Sequence, residues 1–314
     1  MTEVKRIATR QSYGEALKEL GEQHPDVVVL DADLANATKT EIFKKALPDR
    51  HFDCGIAESD MMCVAAGLST TGLVPFASSF AMFAAGRAFE QVRNSIGYPH
   101  LNVKIGATHG GISVGEDGAS HQCCEDFALM RSIPGMVVMS PADDVEAKAM
   151  VRAAYEHNGP VYMRFSRYGS PVIHNANDFT FEIGKGEVLR EGTDVAIIAN
   201  GLLVAEAMNA AGLLAQQGIS ARVINMATIK PLDEKLVLKA AHECGKIVTC
   251  EEHSVIGGLG EAVCAVIAQH GLACPVERVG VNDEFGHSGP AGELLEQFGL
   301  SAGHIINILY FSNK

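Results

Sequence analysis

The residues best suited to chemistry in this sequence lie between positions 52 and 94. A short apolar run there ends in a single acid, Glu58, and small and apolar residues then recur at spacings of three and four. That spacing is typical of a helix buried on most sides, and burying a lone carboxylate raises its pKa. Glu58 is therefore either a solvated loop residue beside a packed helix or an acid held protonated to donate to a ligand nitrogen. In the second case the rings of Phe80 and Phe83 provide a stacking surface.

A glycine-rich loop at residues 107–122 is a second candidate site. It follows a predicted parallel strand, at the end where open α/β sheets place their ligands. His109, Glu116, Asp117 and His121 share this loop with four glycines, which let the backbone approach a ligand. These side chains suit hydrogen bonds to sugar hydroxyls or proton transfer. The alternatives are a surface loop without function and a metal site, although the spacing matches no familiar metal motif.

Three arginines, Arg10, Arg164 and Arg167, are candidate anion binders. Arg164 and Arg167 close a predicted strand and so face the same ligand edge of the sheet, while an ordinary solvated arginine is the alternative for each. Residues 257–261, which include three glycines, open a predicted helix and either hold an anion or form a tight turn. The sequence contains no dinucleotide-binding fingerprint in a βαβ unit and no P-loop.

The hydrophobic pattern predicts two successive α/β units that position these groups. In the first unit, buried strands alternate with helices of ten to fifteen residues, which indicates βαβ units and a mainly parallel sheet. The strands are predicted over 26–31, 74–76, 101–107, 136–139 and 161–165, and the helices over 10–23 (with Thr9 as its cap), 40–47, 120–131 and 143–157.

The turn-rich stretch 168–185 is predicted to be a linker to the second unit. There the predicted strands are 195–199, 221–225, 246–250 and 276–281, and the helices are 203–217, 233–244, 261–270 and two closing helices. We therefore expect an α/β protein of two domains, 1–185 and 186–314.

Composition limits the classes of function. The chain has 314 residues and a net charge of −13, which provides no electrostatic surface for nucleic acid or an anionic membrane. We find no signal-peptide pattern at the N-terminus and no apolar run of 18 residues, so a cytoplasmic location is expected. The eight cysteines include no CxxC pair, and we expect them to be structural.

These residues in this order resemble the C-terminal half of transketolase. The segments that carry the resemblance are Ala8-Thr9-Arg10, Asp31-Ala32-Asp33-Leu34, Cys54-Gly55-Ile56-Ala57-Glu58, residues 75–80, Gly115-Glu116-Asp117-Gly118 with His121-Gln122, Ser166-Arg167 and residues 228–233. The resemblance covers essentially the whole chain. It implies a parallel-sheet, pyrimidine-binding domain followed by the transketolase C-terminal α/β domain.

The resemblance further implies thiamine diphosphate as cofactor. Glu58 would hydrogen-bond N1′ of its aminopyrimidine, and a protonated Glu58 would favour the tautomer that removes the C2 proton of the thiazolium. Phe83 would stack on the pyrimidine beside Phe80. The remaining cofactor contacts implied by the resemblance are Asp33, Leu34 and His121.

The substrate contacts are likewise implied by the resemblance. Arg10, His109 and Arg167 would bind the phosphate of the sugar through charge-assisted hydrogen bonds, and Asp117 would bind a substrate hydroxyl. Glu58 and His109 are the two residues implied to be catalytic. No metal ligand is implied in this chain.

Two departures from the family pattern bear on function. The other half of a transketolase carries a diphosphate- and Mg²⁺-binding loop that opens with Gly-Asp-Gly, and no Gly-Asp-Gly occurs here. We therefore expect one subunit of a split transketolase, dimeric within a heterotetramer, whose N-terminal partner subunit holds Mg²⁺ and the diphosphate. The second departure is Ala37, which replaces a usual phosphate-binding Ser. Either Thr38 compensates, or the substrates differ from the usual sugar phosphates.

The expected reaction is the transfer of a two-carbon ketol unit from a ketose to an aldose. The alternatives are the β subunit of a 2-oxo acid dehydrogenase, 1-deoxyxylulose-5-phosphate synthase-like chemistry, and a non-catalytic binding or regulatory subunit. The loop at 115–122 and the pair Arg10 and Arg167 favour transketolase over the dehydrogenase, and residues 79–83 fit the synthase pattern less well. Glu58 argues against a non-catalytic role, because a carboxylic acid in that pocket has no evident packing value.

Overall fold

A computed structural model describes residues 5–311 of the chain. The strands are β1 (Arg6–Ala8), β2 (Val27–Asp31), β3 (His51–Asp53), β4 (Val74–Phe80), β5 (Lys104–Thr108), β6 (Val137–Met139), β7 (Val161–Phe165), β8 (Gly169–Pro171), β9 (Glu187–Arg190), β10 (Val195–Ala199), β11 (Ala221–Asn225), β12 (Thr228–Lys230), β13 (Ile247–Ser254) and β14 (Val276–Val281). The α-helices are α1 (Thr9–Gln23), α2 (Ala35–Thr38), α3 (Glu41–Ala46), α4 (Glu58–Ser69), α5 (Phe89–Gln91), α6 (Asp126–Arg131), α7 (Asp144–Glu156), α8 (Leu203–Ala215), α9 (Glu234–Cys244), α10 (Leu259–Gln269), α11 (Ala291–Gln297) and α12 (Ala302–Phe311). Residues 82–87 and 92–97 form π-helical turns, and residues 48–50 and 112–117 form 3₁₀ turns.

The first sheet positions the candidate site. Its strand order is β12-β6-β7-β5-β4-β2-β3, and every pair is parallel except β12 with β6. Strands β2, β4, β5 and β7 are buried along their whole length, and in β2 this burial corresponds to an almost continuous apolar run. Their carboxyl ends share one edge of the sheet, so the loops that follow them converge there.

The second sheet has the order β14-β13-β10-β11-β9, with β9 the single antiparallel strand. A separate apolar cluster, which includes Ile197, Val223 and Leu294, packs around it. The second half of the chain also contributes β12 to the first sheet, so the two units share a hydrogen-bonded sheet edge. None of the helices between residues 5 and 311 combines the length and hydrophobicity needed to cross a bilayer.

The predicted fold class, an α/β protein with a parallel-sheet domain followed by a second α/β domain, is confirmed. The strands expected at 161–165, 195–199, 221–225 and 276–281 form over the same residues. Two elements differ. Strand β4 continues to Phe80, because Ser78 and Ser79 are small enough to be buried between neighbouring strands. The helix expected from residue 120 begins only at Asp126, because Cys123 forms a β-bridge with Gly110 and its carbonyl accepts from the backbone N–H of Gly111 at 2.8 Å.

Two smaller features of the chain also differ from the sequence prediction. Thr9 is the first residue of α1 and not its cap, and its hydroxyl accepts a hydrogen bond from the backbone N–H of Ser166 at 2.8 Å. The stretch predicted as a linker contains β8, which pairs antiparallel with β1. The start of α1, and with it Arg10, is therefore attached to the segment that follows β7.

Candidate active site

Four rings meet at the carboxyl edge of the first sheet. Phe80 ends β4, and its ring stacks on that of His109, the residue after β5, with centroids 3.8 Å apart. Phe83 lies 5.7 Å from Phe80 in a parallel orientation, and His121 meets the Phe83 ring edge-on at 5.4 Å. The structure thus brings together the three residues expected to surround the pyrimidine and one expected to bind substrate.

Glu58 begins α4 with only 2% of its side chain exposed, so the interpretation as a solvated loop residue is wrong. Its carboxylate oxygens lie 3.2 and 3.4 Å from Nη1 of Arg87, and the Arg87 guanidinium sits 4.7 Å above the ring of Phe83. Arg87 therefore links the acid to the aromatic surface. Sequence reasoning missed this partner, whose only local signal is its position one π-helical turn after Phe83.

His109 is buried in a left-handed backbone conformation with φ of 57°. Burial lowers its pKa to about 3, and the nearby charges of Arg10 and Arg167 add to that effect. Its Nε2 lies 2.9 Å from Nη1 of Arg10 and must accept, because a guanidinium only donates. The proton is then on Nδ1, which lies 2.8 Å from Oγ1 of Thr108. His109 is consequently a neutral hydrogen-bonding group at physiological pH.

Arg167 connects the glycine-rich loop to the anion-binding side of the site. Its Nη1 donates to the carbonyl of Val114 at 2.7 Å and to Oδ2 of Asp117 at 3.2 Å, and its Nη2 lies 3.6 Å from Glu116. The pKa of Arg10 is lowered by burial and by the positive charge of Arg167. Two cations held this close favour an anionic ligand between or beside them.

A cavity of about 420 Å³ opens next to Arg10. Its lining residues are Arg10, Asp33, Leu34, Asn36, Ala37 and Lys39. Asp33 and Leu34, expected as cofactor contacts, therefore line the same cavity as the arginine. Sequence reasoning missed Lys39, although it is the basic residue of the two-residue loop between α2 and α3.

Thr38 does not compensate for the missing hydroxyl at Ala37. The Thr38 side chain is buried, and its Oγ1 donates to Oδ2 of Asp31 at 2.8 Å. Burial raises the pKa of Asp31, whose carboxylate also accepts from Thr40 and from the backbone of Leu34. Thr38 thus anchors the loop, and Lys39 provides the additional positive group on the cavity wall.

Two other candidates from the sequence have structural roles. Arg164 is buried, with Nε 3.3 Å from Asp126 and Nη2 donating to the carbonyl of Glu252 at 2.8 Å, so it joins the two units and does not face a ligand. The helix start at residues 257–261 is filled by the carboxylate of Glu251, which accepts from the backbone N–H groups of Leu259 and Gly260 at 2.7 and 2.8 Å. The tight-turn interpretation is therefore correct.

The thiols and the acidic side chains provide no metal centre in the part of the chain that the structure describes. No group of three or more His, Cys, Asp or Glu side chains between residues 5 and 311 is arranged to hold a metal ion. All eight cysteines are free, and burial raises the pKa of those with resolved shifts, among them Cys54, Cys124 and Cys250.

Comparison with known families agrees with this geometry. Residues 5–171 match the transketolase pyrimidine-binding domain, and residues 184–305 match the transketolase C-terminal domain. The chain belongs to the transketolase family.

Particular relatives resemble the chain over nearly its full length. A Methanocaldococcus jannaschii protein, provisionally named a transketolase C-terminal section, is 52% identical over 94% of this chain and 93% of its own. A 6-deoxy-6-sulfo-D-fructose transketolase subunit from a Clostridium species is 44% identical over 95% of this chain and 92% of its own. A solved structure described as a split gene transketolase, inactive β4 tetramer, has a TM-score of 0.89 and 54% identity, covering 96% of both chains.

Proposed function

We propose that this chain is the C-terminal subunit of a split transketolase, with a pyrimidine-binding domain over 1–185 and a C-terminal domain over 186–314. With thiamine diphosphate it would transfer a two-carbon ketol unit from a ketose to an aldose. The observation that carries this proposal is the buried Glu58 beside the Phe83 ring at the ligand edge of a parallel sheet. Relatives of almost equal length, named as sections or subunits of transketolases, support it.

The chemistry of these side chains suits an aminopyrimidine. A flat heterocycle can stack on the half-buried ring of Phe83 while its edge nitrogen faces the carboxyl group of Glu58. Thiamine diphosphate supplies, when bound, a nucleophilic carbon and an electron sink for the cleavage of a C–C bond. The role of Glu58 is to hold a proton at the pyrimidine nitrogen, and that of Phe80, Phe83 and His121 is to orient the ring and exclude water.

Arg87 has to release Glu58 before the acid can donate to a ligand. The Arg87 side chain is 54% exposed and that of Glu58 only 2%, so breaking the pair leaves a buried carboxyl group that a ligand nitrogen would have to satisfy in place of Arg87. The guanidinium can turn to solvent or to an acidic group on another subunit. The carboxyl group of Glu58 would then be free to hydrogen-bond the ligand.

The substrate side of the site suits an anionic sugar. Arg10 and Lys39 line a space of about 420 Å³, and the positive charge of Arg167 is close enough to Arg10 to lower its pKa. The neutral His109 and the carboxylate of Asp117 then suit hydrogen bonds to sugar hydroxyls. We propose sugar phosphates as substrates. Their phosphate would be bound by positively charged side chains, because Ala37 provides no serine hydroxyl for it.

Mg²⁺ and the diphosphate would be held by a separate N-terminal subunit, in a cytoplasmic heterotetramer with a central dimer of this chain. Three apolar side chains are exposed in the isolated chain: Phe52 on β3, Ile56 in the loop after it, and Val64 on α4. Exposed apolar side chains that lie near one another mark a surface where another protein binds. A partner subunit or a second copy would cover them. A solved relative described as a split gene transketolase, inactive β4 tetramer, supports the proposal that this chain is inactive without its partner.

Mixing experiments test the proposal. This chain, the N-terminal subunit, and both together are incubated with thiamine diphosphate, Mg²⁺ and a panel of ketose donors and aldose acceptors, with the aldose released from the donor measured. We expect two-carbon transfer only in the mixture. Transfer by this chain alone would refute the split-subunit proposal, and activity only with a 2-oxo acid and a lipoyl acceptor would assign the chain to the 2-oxo acid dehydrogenases.

A further inference from the structure

The second unit of the chain contacts the loop that carries Asp117 at several points. The loop consists of the 3₁₀ turns at residues 112–117 and the residues up to Gln122. On its inner side, Oε1 of the buried Glu252, from β13, accepts a hydrogen bond from the backbone N–H of Ser113 at 2.6 Å. On its outer side, the segment between β14 and α11, residues 282–290, packs directly against it. We call this segment the clamp segment.

Gln122 is the side chain that joins the loop to the clamp segment. It is buried, and its Nε2 lies 3.0 Å from the carbonyl of His287 in the clamp segment. The same nitrogen lies 3.2 Å from the carbonyl of Ile112 and 3.4 Å from that of Gly115. The two hydrogens of this amide are thus shared among two carbonyls of the 3₁₀ turns and one of the clamp segment, which attaches the turns to the second unit.

Two glycines of the loop allow the clamp segment to come this close. Gly115 has a φ of 83°, and a side chain there would lie 3.3 Å from the carbonyl of Gly289. Gly118 has a φ of 76°, and a side chain there would lie 2.5 Å from Oγ of Ser288. The close approach on both sides of Asp117 leaves this loop little room to move.

We propose that Gln122 is a positioning residue through which the clamp segment of the second domain sets the geometry of the substrate-binding loop. The inference rests on the proposed transketolase function, because it concerns the same site. Gln122 acts through Asp117 and through the carbonyl of Val114, both of which bind Arg167. A displacement of this loop moves the carboxylate and the guanidinium together, away from a bound sugar.

Apart from His121, the chain neighbour of Gln122, the cofactor side of the site is attached to different elements. Glu58 belongs to α4, and Phe83 and Arg87 belong to the π-helical turn that follows β4. The bonds made by Gln122 involve none of these residues. Loosening the clamp segment should therefore weaken donor binding much more than it slows activation of the cofactor, which separates a positioning role from general damage to the fold.

A glycine substitution in the clamp segment tests this without altering Gln122. A Cβ at Gly286 would overlap Oε1 of Gln122, whereas a Cβ at Gly212, in α8, meets no atom within 4 Å. The complex of both subunits is assembled with the wild-type chain, Gly286→Ala, Gln122→Met or the control Gly212→Ala. For each, the KM and kcat for the ketose donor are measured, together with hydrogen–deuterium exchange at C2 of the cofactor and exchange of the backbone amides of residues 113–118.

We expect Gly286→Ala and Gln122→Met to raise the KM for the donor by about tenfold or more, with a much smaller change in C2 exchange. The amides of residues 113–118 should exchange faster in both variants and not in Gly212→Ala. An unchanged KM and unchanged amide exchange in both variants, in an active complex, would overturn the inference alone. An inactive wild-type complex would instead refute the proposed function, while the amide exchange would still report on the clamp.

Discussion

Lys39 follows the buried Thr38 in the loop between α2 and α3, where its backbone has a φ of 72°. Its ammonium group lies 3.4 Å from Oδ1 of Asn36, and the side chain lines the cavity beside Arg10. The Thr38 hydroxyl donates to Asp31, and Ala37 has no hydroxyl. The ammonium group of Lys39 is therefore the nearest group that can donate to an anion here. It would bind the anion as a point charge, without the directional preference of a hydroxyl.

Replacing Lys39 with Met should raise the KM for a phosphorylated ketose by about tenfold, because a charge-assisted contact to the anion is lost. The KM for the same ketose without its phosphate should change little. Steady-state kinetics of the complex with the two donors measures the difference, and Lys235→Met, an exposed lysine of α9, is the matched control. An equal loss with both donors would show that Lys39 supports the loop and does not bind the anion.

At the level of elements, a buried ion cluster ties the linker to both units. His174, in the linker, lies 3.0 Å from Asp143, the cap of α7, and 3.0 Å from Glu187 of β9. Burial alone would lower the pKa of His174, but the hydrogen bond to Asp143 and the charges of Glu146, Asp143 and Glu187 outweigh it and raise the pKa to about 9. The imidazolium therefore holds together three segments of the chain.

This cluster predicts a pH dependence of stability. The pKa of His174 is higher in the folded chain than its ordinary value of 6.5, so the folded state binds the proton more tightly. Its stabilising contribution is complete below pH 6.5 and is lost as the pH rises to about 9. The urea midpoint of the wild-type chain should fall over that interval. His174→Gln should be less stable at pH 6.5 and should lack most of this fall.

The control for this prediction is His242→Gln, which changes an exposed histidine of α9. Its midpoint should follow the wild type at every pH. If His174→Gln and the wild type lost stability in parallel between pH 6.5 and 9, the histidine would not be the group responsible, and the cluster would have no part in holding the linker.

At the scale of the whole molecule, much of the fold could be predicted from local pattern. Strands such as β7 and β10 are short, buried, apolar runs bounded by turns, and their limits follow from those signals alone. The same pattern could not show that β12 returns to the first sheet, because its three residues carry no information about a distant partner. Strands far apart in the sequence pair because of tertiary packing, and a short stretch of sequence holds no information about that packing.

The candidate site divides in the same way. Residue types and their order indicated Glu58, the two phenylalanines, His109 and the paired arginines. The contacts of these residues could not be predicted from the sequence, because the partners are far apart along it. Arg87 is 29 positions from Glu58, and Gln122 is 165 positions from His287. Each of these partners is an ordinary polar residue in its own segment, and only the folded chain gives it a role.

Under the proposed function, the molecule as a whole contributes half of an active site. The acid and the aromatic surface are present at one sheet edge, and the diphosphate and Mg²⁺ would come from another subunit. The most direct test is hydrogen–deuterium exchange at C2 of thiamine diphosphate, measured with this chain, with the N-terminal subunit, with both, and with both when this chain carries Glu58→Gln. We predict rapid exchange only in the wild-type mixture, with near loss in Glu58→Gln. Rapid exchange with this chain alone, or wild-type exchange in the Glu58→Gln mixture, would contradict the account.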